Sequence, residues 1–194
     1  MKKPLIMICP ERLILEPPVY PLPEGYEVAD YQESDSPEYI ELLKAEGWNL
    51  NADAFQTFLH KVLPGGLFLI KNKTTGEIAA TAAALHNPES THYTFPFGGD
   101  IGFVRTHPDH RNKGLGLFVT ALAAERLIKA DYQSIRIVTN DERLPALKTY
   151  IKLGFVPFLY ELDMKARWHD VYRKLGLEAN KTGWKIPVEK EVPG

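Results

Sequence analysis

The sequence lacks several features that would place it in a special class of protein. It has one cysteine, Cys9, among 194 residues, so it cannot form an intramolecular disulfide, and a reducing compartment fits. No apolar run approaches the ~20 residues that a membrane-spanning helix needs, so we expect no membrane segment. The apolar run at 5–9 lies between two prolines and is too short for a signal peptide, so we predict a cytoplasmic protein. The net charge of −2 argues against nucleic acid as a partner.

The remaining composition is that of one ordinary globular domain. Hydrophobic residues make up 44% of the chain and charged residues 25%, which excludes a disordered protein. Proline is concentrated in the first 25 residues, where it predicts an extended arm around the domain. We therefore divide the chain into an arm (1–25), a single domain (26–175) and a loosely docked tail (176–194).

Hydrophobic periodicity predicts a mixed α/β fold for this domain. Strands are predicted at 26–31, 67–71, 77–85, 100–106, 135–139 and 155–160. Helices are predicted at 36–46, 52–62, 114–130, 144–153 and 164–175. The order indicates an antiparallel start followed by strand–helix–strand crossovers, with about six strands in all.

One segment, residues 100–116, joins a strand, a turn and the start of a helix in a way that suits an anion. The first amides of a helix have no intrahelical partner, lie at its positive end, and can be approached closely where glycines stand. Arg111 and Lys113 add positive charge, so the string Arg111-x-x-Gly114-x-Gly116 suits a pyrophosphate. The string is neither a Walker loop nor a dinucleotide-binding fingerprint, and by itself it is equally consistent with a helix cap.

Two blocks in register resemble the GNAT superfamily of N-acetyltransferases. Residues 106–116 match the family's coenzyme motif Val-x-Pro-x-x-Arg-x-x-Gly-x-Gly/Ala, with Thr106 in place of valine. The family's later motif is matched in spacing by Ala146, Tyr150, Gly154 and Phe155. The resemblance covers roughly residues 25–160. It implies a central mixed, mostly antiparallel sheet flanked by helices.

The resemblance also implies a reaction. An acetyl group would pass from acetyl-CoA to a primary amine of a small molecule or a peptide N-terminus by direct attack, without a metal. Cys9 lies outside both blocks, which disfavours a covalent relay through a thiol. Residues 104–106 would offer backbone groups to the pantetheine arm, and 111–116 would hold the pyrophosphate. The coenzyme residues that the resemblance assigns are Val104, Arg105, Thr106, Arg111, Asn112, Lys113, Gly114, Leu115, Gly116 and Arg143. Dimers are common in the family, so a homodimer is left open.

Two catalytic candidates follow from the same resemblance. Tyr150 stands where the family has its general acid. A tyrosine with a pKa of ~10 is a weaker acid than a thiol with a pKa of ~8.5. This difference favours a hydrogen bond from Tyr150 to the leaving thiolate over a separate acid step. Asp100 stands where many members have a glutamate base. Because an ordinary aspartate has a pKa of ~3.9, Asp100 needs burial, a relaying water or an amine of low pKa to act as a base. The structural alternatives are a core tyrosine and a turn aspartate that binds loop amides. Arg143 replaces the family's asparagine, and it would bind a coenzyme phosphate, bind the acceptor or cap its helix.

Other residues carry weaker signals. The loop histidines, which we expect to be exposed, are His86, His92, His107 and His110, of which His110 is also a candidate for a phosphate contact. Aromatic residues that either fill the core or line an amine pocket are Trp48, Tyr93, Phe95, Phe97 and Tyr160. Two other functions stay open: a non-catalytic module that binds or senses coenzyme A, and an unrelated phosphate-binding α/β domain.

Overall fold

The computed structural model describes residues 2–45, 47, 51–88, 93, 95, 97–179 and 183–187. Trp48 and His92, both named above, lie outside the described residues. The strands are β1 Leu5–Ile8, β2 Tyr26–Asp30, β3 Val62–Asn72, β4 Ile78–His86, β5 Gly98–Thr106, β6 Ser134–Thr139 and β7 Val156–Phe158. The helices are α1 Glu11–Leu15, α2 Ser36–Lys44, α3 Ala52–Leu59, α4 Leu115–Lys129, α5 Leu144–Leu153 and α6 Met164–Leu175.

The seven strands form one sheet in the order β2-β3-β4-β5-β6-β1-β7. Neighbouring strands run antiparallel except for β5 and β6, which run parallel. This architecture confirms the predicted mixed, mostly antiparallel sheet flanked by helices. Within the described part of the chain, no helix has the length and apolarity that crossing a membrane requires.

Strand β4 lies at the centre of the core because both of its faces are buried. Its alanines Ala82 and Ala84 face one apolar cluster, which includes Val119 and Leu127 of α4. Ala83, on the opposite face, belongs to a second cluster with side chains of α2 and α3. Small residues let helices approach both faces of a strand whose side chains alternate. The sheet is therefore held between α4 on one side and α2 with α3 on the other.

The first segment of the chain differs from its prediction. Leu5–Ile8 pairs with β6 on one side and with β7 on the other, and the side chains of Leu5, Ile6 and Met7 are fully buried. Pro4 and Pro10 flank the strand instead of interrupting it, so they remove no hydrogen bond from its ladders. The prediction of an extended arm around the domain is therefore corrected for residues 5–8, which form an inner strand of the sheet.

A second segment also differs from the sequence prediction. Helix α3 ends at Leu59, earlier than the predicted 62, and Pro64-Gly65-Gly66, which precedes the predicted strand 67–71, lies inside β3 at an irregularity in its pairing with β4. In the tail, the described residues 183–187 dock along β7, since Lys185 forms a bridge with Phe158. Trp184 packs against Tyr172 of α6.

Candidate active site

The sheet opens where β5 and β6 separate. Three parallel pairs join these strands, and the last of them is Asp100 with Arg136. Beyond this point β5 follows β4, whereas β6 follows β1 and leads into the loop before α5. The gap contains a cavity of about 440 Å³. Four predicted site residues line the cavity, namely Asp100, Val104, Arg143 and Tyr150.

A bulge in β5 shapes one wall of this cavity. Thr81 pairs with Arg105 and Ala83 pairs with Gly102, so two residues of β5 stand opposite one residue of β4. Phe103 lies in this bulge with φ +54°, in the left-handed region. A bulge bends its strand and redirects its side chains. The Phe103 ring meets the ring of Phe58 from α3 at a centroid distance of 4.0 Å.

Asp100 is a buried carboxylate with polar and charged neighbours. Its Oδ2 accepts a hydrogen bond of 3.1 Å from Asn87 Nδ2 and lies 3.9 Å from Arg136 Nε. Burial raises the pKa of Asp100 above its ordinary value, although Arg136, Asn87 and Lys61 act in the opposite sense. A carboxyl with a raised pKa is a better proton acceptor than an exposed aspartate. Asp100 lies inside β5, so it is not the turn aspartate that the sequence analysis gave as the structural alternative.

Tyr150 projects from α5 into the same cavity. Burial raises the pKa of Tyr150 to about 12, with Arg143 acting to lower the pKa and Asp100 to raise it. Asp100, Arg143 and Tyr150 all line this cavity, so their side chains lie around one space. Arg143 occupies the N-cap of α5, and within the described part of the chain its side chain makes no capping hydrogen bond. Of the three roles considered for Arg143, side-chain capping is therefore not observed.

The coenzyme candidates of residues 107–116 connect β5 to α4. Gly114 is the N-cap of α4 and has φ +82°, a conformation that favours glycine. A Cβ atom on Gly116 would lie 3.3 Å from Thr106 Oγ1, so glycine lets the first turn of α4 pack tightly against the end of β5. Residues 111–114 are exposed. The N-terminus of α4 is therefore accessible to an anion from solvent.

Three guanidinium groups lie near one another between this loop and the cavity. Burial and the positive charges of Arg111 and Arg143 together lower the pKa of Arg105 to about 10. Like charges that interact in this way are close in space. An anion placed among them would relieve their mutual repulsion. The cluster thus connects the loop of Arg111 with the cavity of Arg143.

Two histidines, His107 and His110, differ from the prediction of exposed loop residues. His110 is 5% exposed, with Nδ1 at 2.8 Å from the hydroxyl of Tyr26 and Nε2 at 3.0 Å from a carboxylate oxygen of Glu77. Both ring nitrogens are therefore engaged, which corrects the suggestion of a phosphate contact. His107 is half-buried, and its Nε2 lies 3.5 Å from the other oxygen of Glu77. His86 is exposed as predicted.

The remaining candidates lie away from the cavity. Tyr93, Phe95 and Tyr160 pack with Ile6 of β1 and Phe158 of β7, and the described lining of the cavity includes none of them. Phe97 is 86% exposed. Burial raises the pKa of the Cys9 thiol to about 12, so its reactive thiolate is strongly disfavoured.

Sequence reasoning missed several residues around Asp100. Lys61 and Asn87 line the cavity, and Arg136 is completely buried beside it. Arg136 also lies 4.8 Å from the ring centroid of Phe95. A charged residue in an otherwise apolar strand was the one signal available for Arg136. Lys61 and Asn87 follow a helix and a strand, respectively, and nothing local in the sequence marks them.

Comparisons with known proteins give a consistent result. Residues 25–155 match the Acetyltransferase (GNAT) family. A search of curated proteins gave no match. Similar solved structures include a GCN5-related N-acetyltransferase from Kribbella flavida, with TM-score 0.55, 19% identity, and coverage of 81% of this chain and 55% of that chain.

Two further structures show the same fold. A GCN5-related N-acetyltransferase from Sphaerobacter thermophilus has TM-score 0.58 and 16% identity, covering 81% of this chain and 49% of that chain. An acetyltransferase from Trypanosoma brucei has TM-score 0.51 and 24% identity, covering 67% of this chain and 92% of that chain. The chain spans about half the length of the first solved structures it matches.

Proposed function

The chain belongs to the acetyltransferase (GNAT) family, and on this premise we propose that it transfers an acetyl group from acetyl-CoA to a primary amine of a small molecule or a peptide N-terminus. The observation that carries the proposal is the gap between β5 and β6. It brings Asp100, Tyr150 and Arg143 around one cavity of about 440 Å³. We further propose a cytoplasmic location, in keeping with the single cysteine.

The basic surface at one end of this gap suits the anionic coenzyme. Arg105, Arg111 and Arg143 interact electrostatically, and Lys113 lies in the same loop as Arg111. The loop before α4, whose residues 111–114 are exposed, suits a pyrophosphate, because a helix N-terminus favours negative charge. Residues 104–106 lead from the cavity to this loop. An extended pantetheine arm lying along them would connect the loop to Tyr150.

The proposed reaction needs one bond to form and one to break. The amine nitrogen attacks the thioester carbonyl carbon, and the carbon–sulfur bond breaks. Asp100 takes the proton that the amine loses, directly or through a water molecule. The hydroxyl of Tyr150 donates a hydrogen bond to the departing sulfur.

The raised pKa of Tyr150 limits what this residue can do. Full proton transfer from a phenol with a pKa of about 12 to the thiolate of a thiol with a pKa of ~8.5 would cost about 5 kcal/mol. A neutral tyrosine that stabilises the thiolate by a hydrogen bond avoids this cost. The thiolate would then take its proton from solvent after release.

Two measurements together test the proposal. Acetyl-CoA should raise the melting temperature, since a ligand at 100 times its Kd stabilises a protein by about 2.7 kcal/mol. Release of coenzyme A thiol should then depend on an added amine in a panel of small amines and peptides with free N-termini. Mass spectrometry of the acceptor should show the acetyl group on nitrogen.

Two results would contradict the proposal in different ways. Stabilisation by acetyl-CoA without thiol release across the whole panel would favour a module that binds coenzyme A without turnover. No stabilisation by coenzyme A or acetyl-CoA would favour an unrelated phosphate-binding domain. A useful control variant is Cys9→Ala, which should keep full turnover if the amine attacks the thioester directly.

A further inference from the structure

A chain of hydrogen bonds runs behind the loop that precedes α4. Lys113 Nζ donates to the hydroxyl oxygen of Tyr26 at 3.1 Å, and this hydroxyl lies 2.8 Å from His110 Nδ1. His110 Nε2 lies 3.0 Å from Glu77 Oε2. The chain thus connects Lys113 to the start of β2 and to the turn before β4. Tyr26 and His110 are 6% and 5% exposed, so the middle of this chain is buried.

A second histidine reaches the same carboxylate from the other side. His107 Nε2 lies 3.5 Å from Glu77 Oε1. Its Nδ1 accepts a hydrogen bond from the backbone N–H of Asp109 at 3.3 Å. Both imidazoles therefore present Nε2 to Glu77 and have Nδ1 engaged elsewhere.

The groups at the two ends constrain the directions of the hydrogen bonds between them. The ammonium of Lys113 is only a donor, so the Tyr26 oxygen accepts from it. We assign the Tyr26 hydroxyl as the donor to His110 Nδ1, because this direction gives the buried hydroxyl proton an acceptor. The carboxylate of Glu77 is only an acceptor, so His110 must donate to it from Nε2. The hydrogen bond from His110 lowers the pKa of Glu77, which favours the ionised carboxylate that this assignment requires. His110 is then neutral and carries its proton on Nε2.

This arrangement fixes Lys113 without neutralising it. A direct ion pair with a carboxylate would offset the positive charge of the ammonium before an anion could use it. Here two neutral groups, Tyr26 and His110, separate Lys113 from Glu77. The side chain is held in place, and its charge remains available.

We propose that Tyr26 is a positioning residue that holds Lys113, through the chain Tyr26–His110–Glu77, in place for the coenzyme. The inference rests on the proposed function, because it assigns Lys113 to the anionic coenzyme. Tyr26 does not touch the reacting atoms, so it should affect coenzyme binding and not the chemical step.

A metal site is the other reading of these side chains. Ligand-type atoms of Glu77, His107 and His110 lie within 4.8 Å of one another. A metal ion would need Nε2 of both histidines without a proton. The proton would have to move to Nδ1, where the Asp109 N–H and the Tyr26 hydroxyl already donate. The hydrogen-bond pattern therefore favours the hydrogen-bonded chain Tyr26–His110–Glu77 over a metal.

The central experiment compares two tyrosine variants. Tyr26→Phe should raise the Kd for coenzyme A about fivefold to tenfold, as expected for the loss of one hydrogen bond, with kcat at saturation unchanged within about twofold. The matched control is Tyr132→Phe. It removes a similar hydrogen bond, between the Tyr132 hydroxyl and His86 Nδ1 at 2.7 Å, away from the coenzyme loop. This control should leave both the Kd and kcat unchanged.

A double-mutant cycle tests whether Tyr26 acts through Lys113. If it does, Tyr26→Phe should add nothing to the Kd increase of Lys113→Ala. Additive losses would overturn the inference, as would an unchanged Kd in Tyr26→Phe or a loss confined to kcat. Failure of the wild-type protein to bind coenzyme A would overturn the proposed function and this inference together, so the two failures are distinguishable.

Imidazole nitrogen spectra of the wild-type protein test the proton assignment independently of binding. Two-bond ¹H–¹⁵N NMR should show both His107 and His110 as neutral rings protonated on Nε2. A proton on Nδ1 of His110 would overturn the assigned chain Tyr26–His110–Glu77 and with it the inference. A titration with Zn²⁺ alone that shifts both rings and raises the melting temperature would overturn it in favour of a metal site.

Discussion

Tyr150 and Asp100 line one cavity, and burial makes Asp100 a stronger base but Tyr150 a weaker acid. Burial raises the pKa of both groups. For Asp100 the change improves a base that would otherwise be too weak to accept a proton from an amine. For Tyr150 it weakens an acid that was already weaker than the thiol it would have to protonate. Burial in one cavity therefore supports a base and opposes a separate acid step.

This difference makes the size of one mutational effect informative. Tyr150→Phe should lower kcat by about 10-fold to 100-fold, the loss expected for one hydrogen bond to a charged sulfur. The Kd for acetyl-CoA should change by less than about twofold, because the bond forms only as the thiolate leaves. Steady-state thiol release and calorimetric titration measure the two quantities separately.

A tyrosine outside the cavity provides the control for this substitution. Tyr160 has a pKa raised to about 12 by burial, like Tyr150, but its hydroxyl donates to the backbone oxygen of Pro4. Tyr160→Phe should therefore leave kcat unchanged. A loss well above 10³-fold in Tyr150→Phe would instead support a true general acid. An unchanged kcat would show that Tyr150 only packs in the core.

Residue identity could be predicted only where a motif marks the position. Tyr150 and the glycines of the loop belong to fixed spacings, so sequence alone predicts that they act together. Arg136 and Asn87 approach Asp100 only because β5 pairs with β6 and β4 ends beside it. Pairing between distant strands leaves no local trace in the sequence. The polar surroundings of Asp100 therefore required the structure.

At the level of elements, local signals explain which predictions succeed. Helices α4 and α5 differ from their predicted bounds by no more than one residue, because glycines stand at Gly114 and Gly154, where the backbone φ is positive. Strand β1 has four residues between prolines, too few for a recognisable alternation. Its partners β6 and β7 lie more than 120 residues further along the chain.

The inner position of β1 predicts a large stability difference between two residues of the proline-rich segment. Ile6 is fully buried between Phe95 and Phe158, whereas Val19 is 92% exposed. Ile6→Ala should lower the free energy of unfolding by about 2 to 5 kcal/mol, since it removes buried methyl groups and leaves a cavity. Val19→Ala should change it by less than about 0.5 kcal/mol.

Urea denaturation of the two variants measures this contrast. Equal and small effects would mean that β1 is an arm resting on the domain, as the proline content alone predicts. Unequal effects of the stated size would place β1 in the cooperative core. The comparison uses substitutions to the same residue, so differences in the unfolded chain stay small.

At the scale of the whole molecule, Asp141 joins parts of the chain that are far apart in sequence. Lys2 Nζ lies 2.6 Å from Asp141 Oδ2. Arg167 of α6 donates to both carboxylate oxygens, at 3.1 Å and 2.9 Å, and its Nη2 also donates to the backbone oxygen of Lys3 at 2.8 Å. Asp141 precedes Arg143 by two residues. The N-terminus and α6 thus hold the loop from which Arg143 faces the cavity.

The charge of Asp141 should therefore make part of the protein's stability depend on pH. Burial opposes ionisation of Asp141, but its hydrogen bonds to Arg167 and Lys2 outweigh this effect and hold its pKa below the ordinary value. Because the folded state binds this proton more weakly than the unfolded state, the stabilisation is complete above the unfolded pKa of ~3.9. It is lost as the pH falls from there through the lower folded pKa.

Asp141→Asn tests this coupling across the molecule. At pH 7 the variant should lose about 2 kcal/mol of unfolding free energy, because Arg167 then keeps a neutral partner in place of a bidentate carboxylate. The difference from wild type should shrink as the pH falls below ~3.9, where the wild-type carboxyl also becomes neutral. The control is Asp170→Asn on α6, since Asp170 also pairs with basic residues and has a lowered pKa, but 40% of its side chain is exposed, against 12% for Asp141. This control should leave the denaturation midpoint unchanged at both pH values. A loss in Asp141→Asn that is the same at pH 7 and below pH 3 would show that packing, and not the charge, joins α6 to the loop of Arg143.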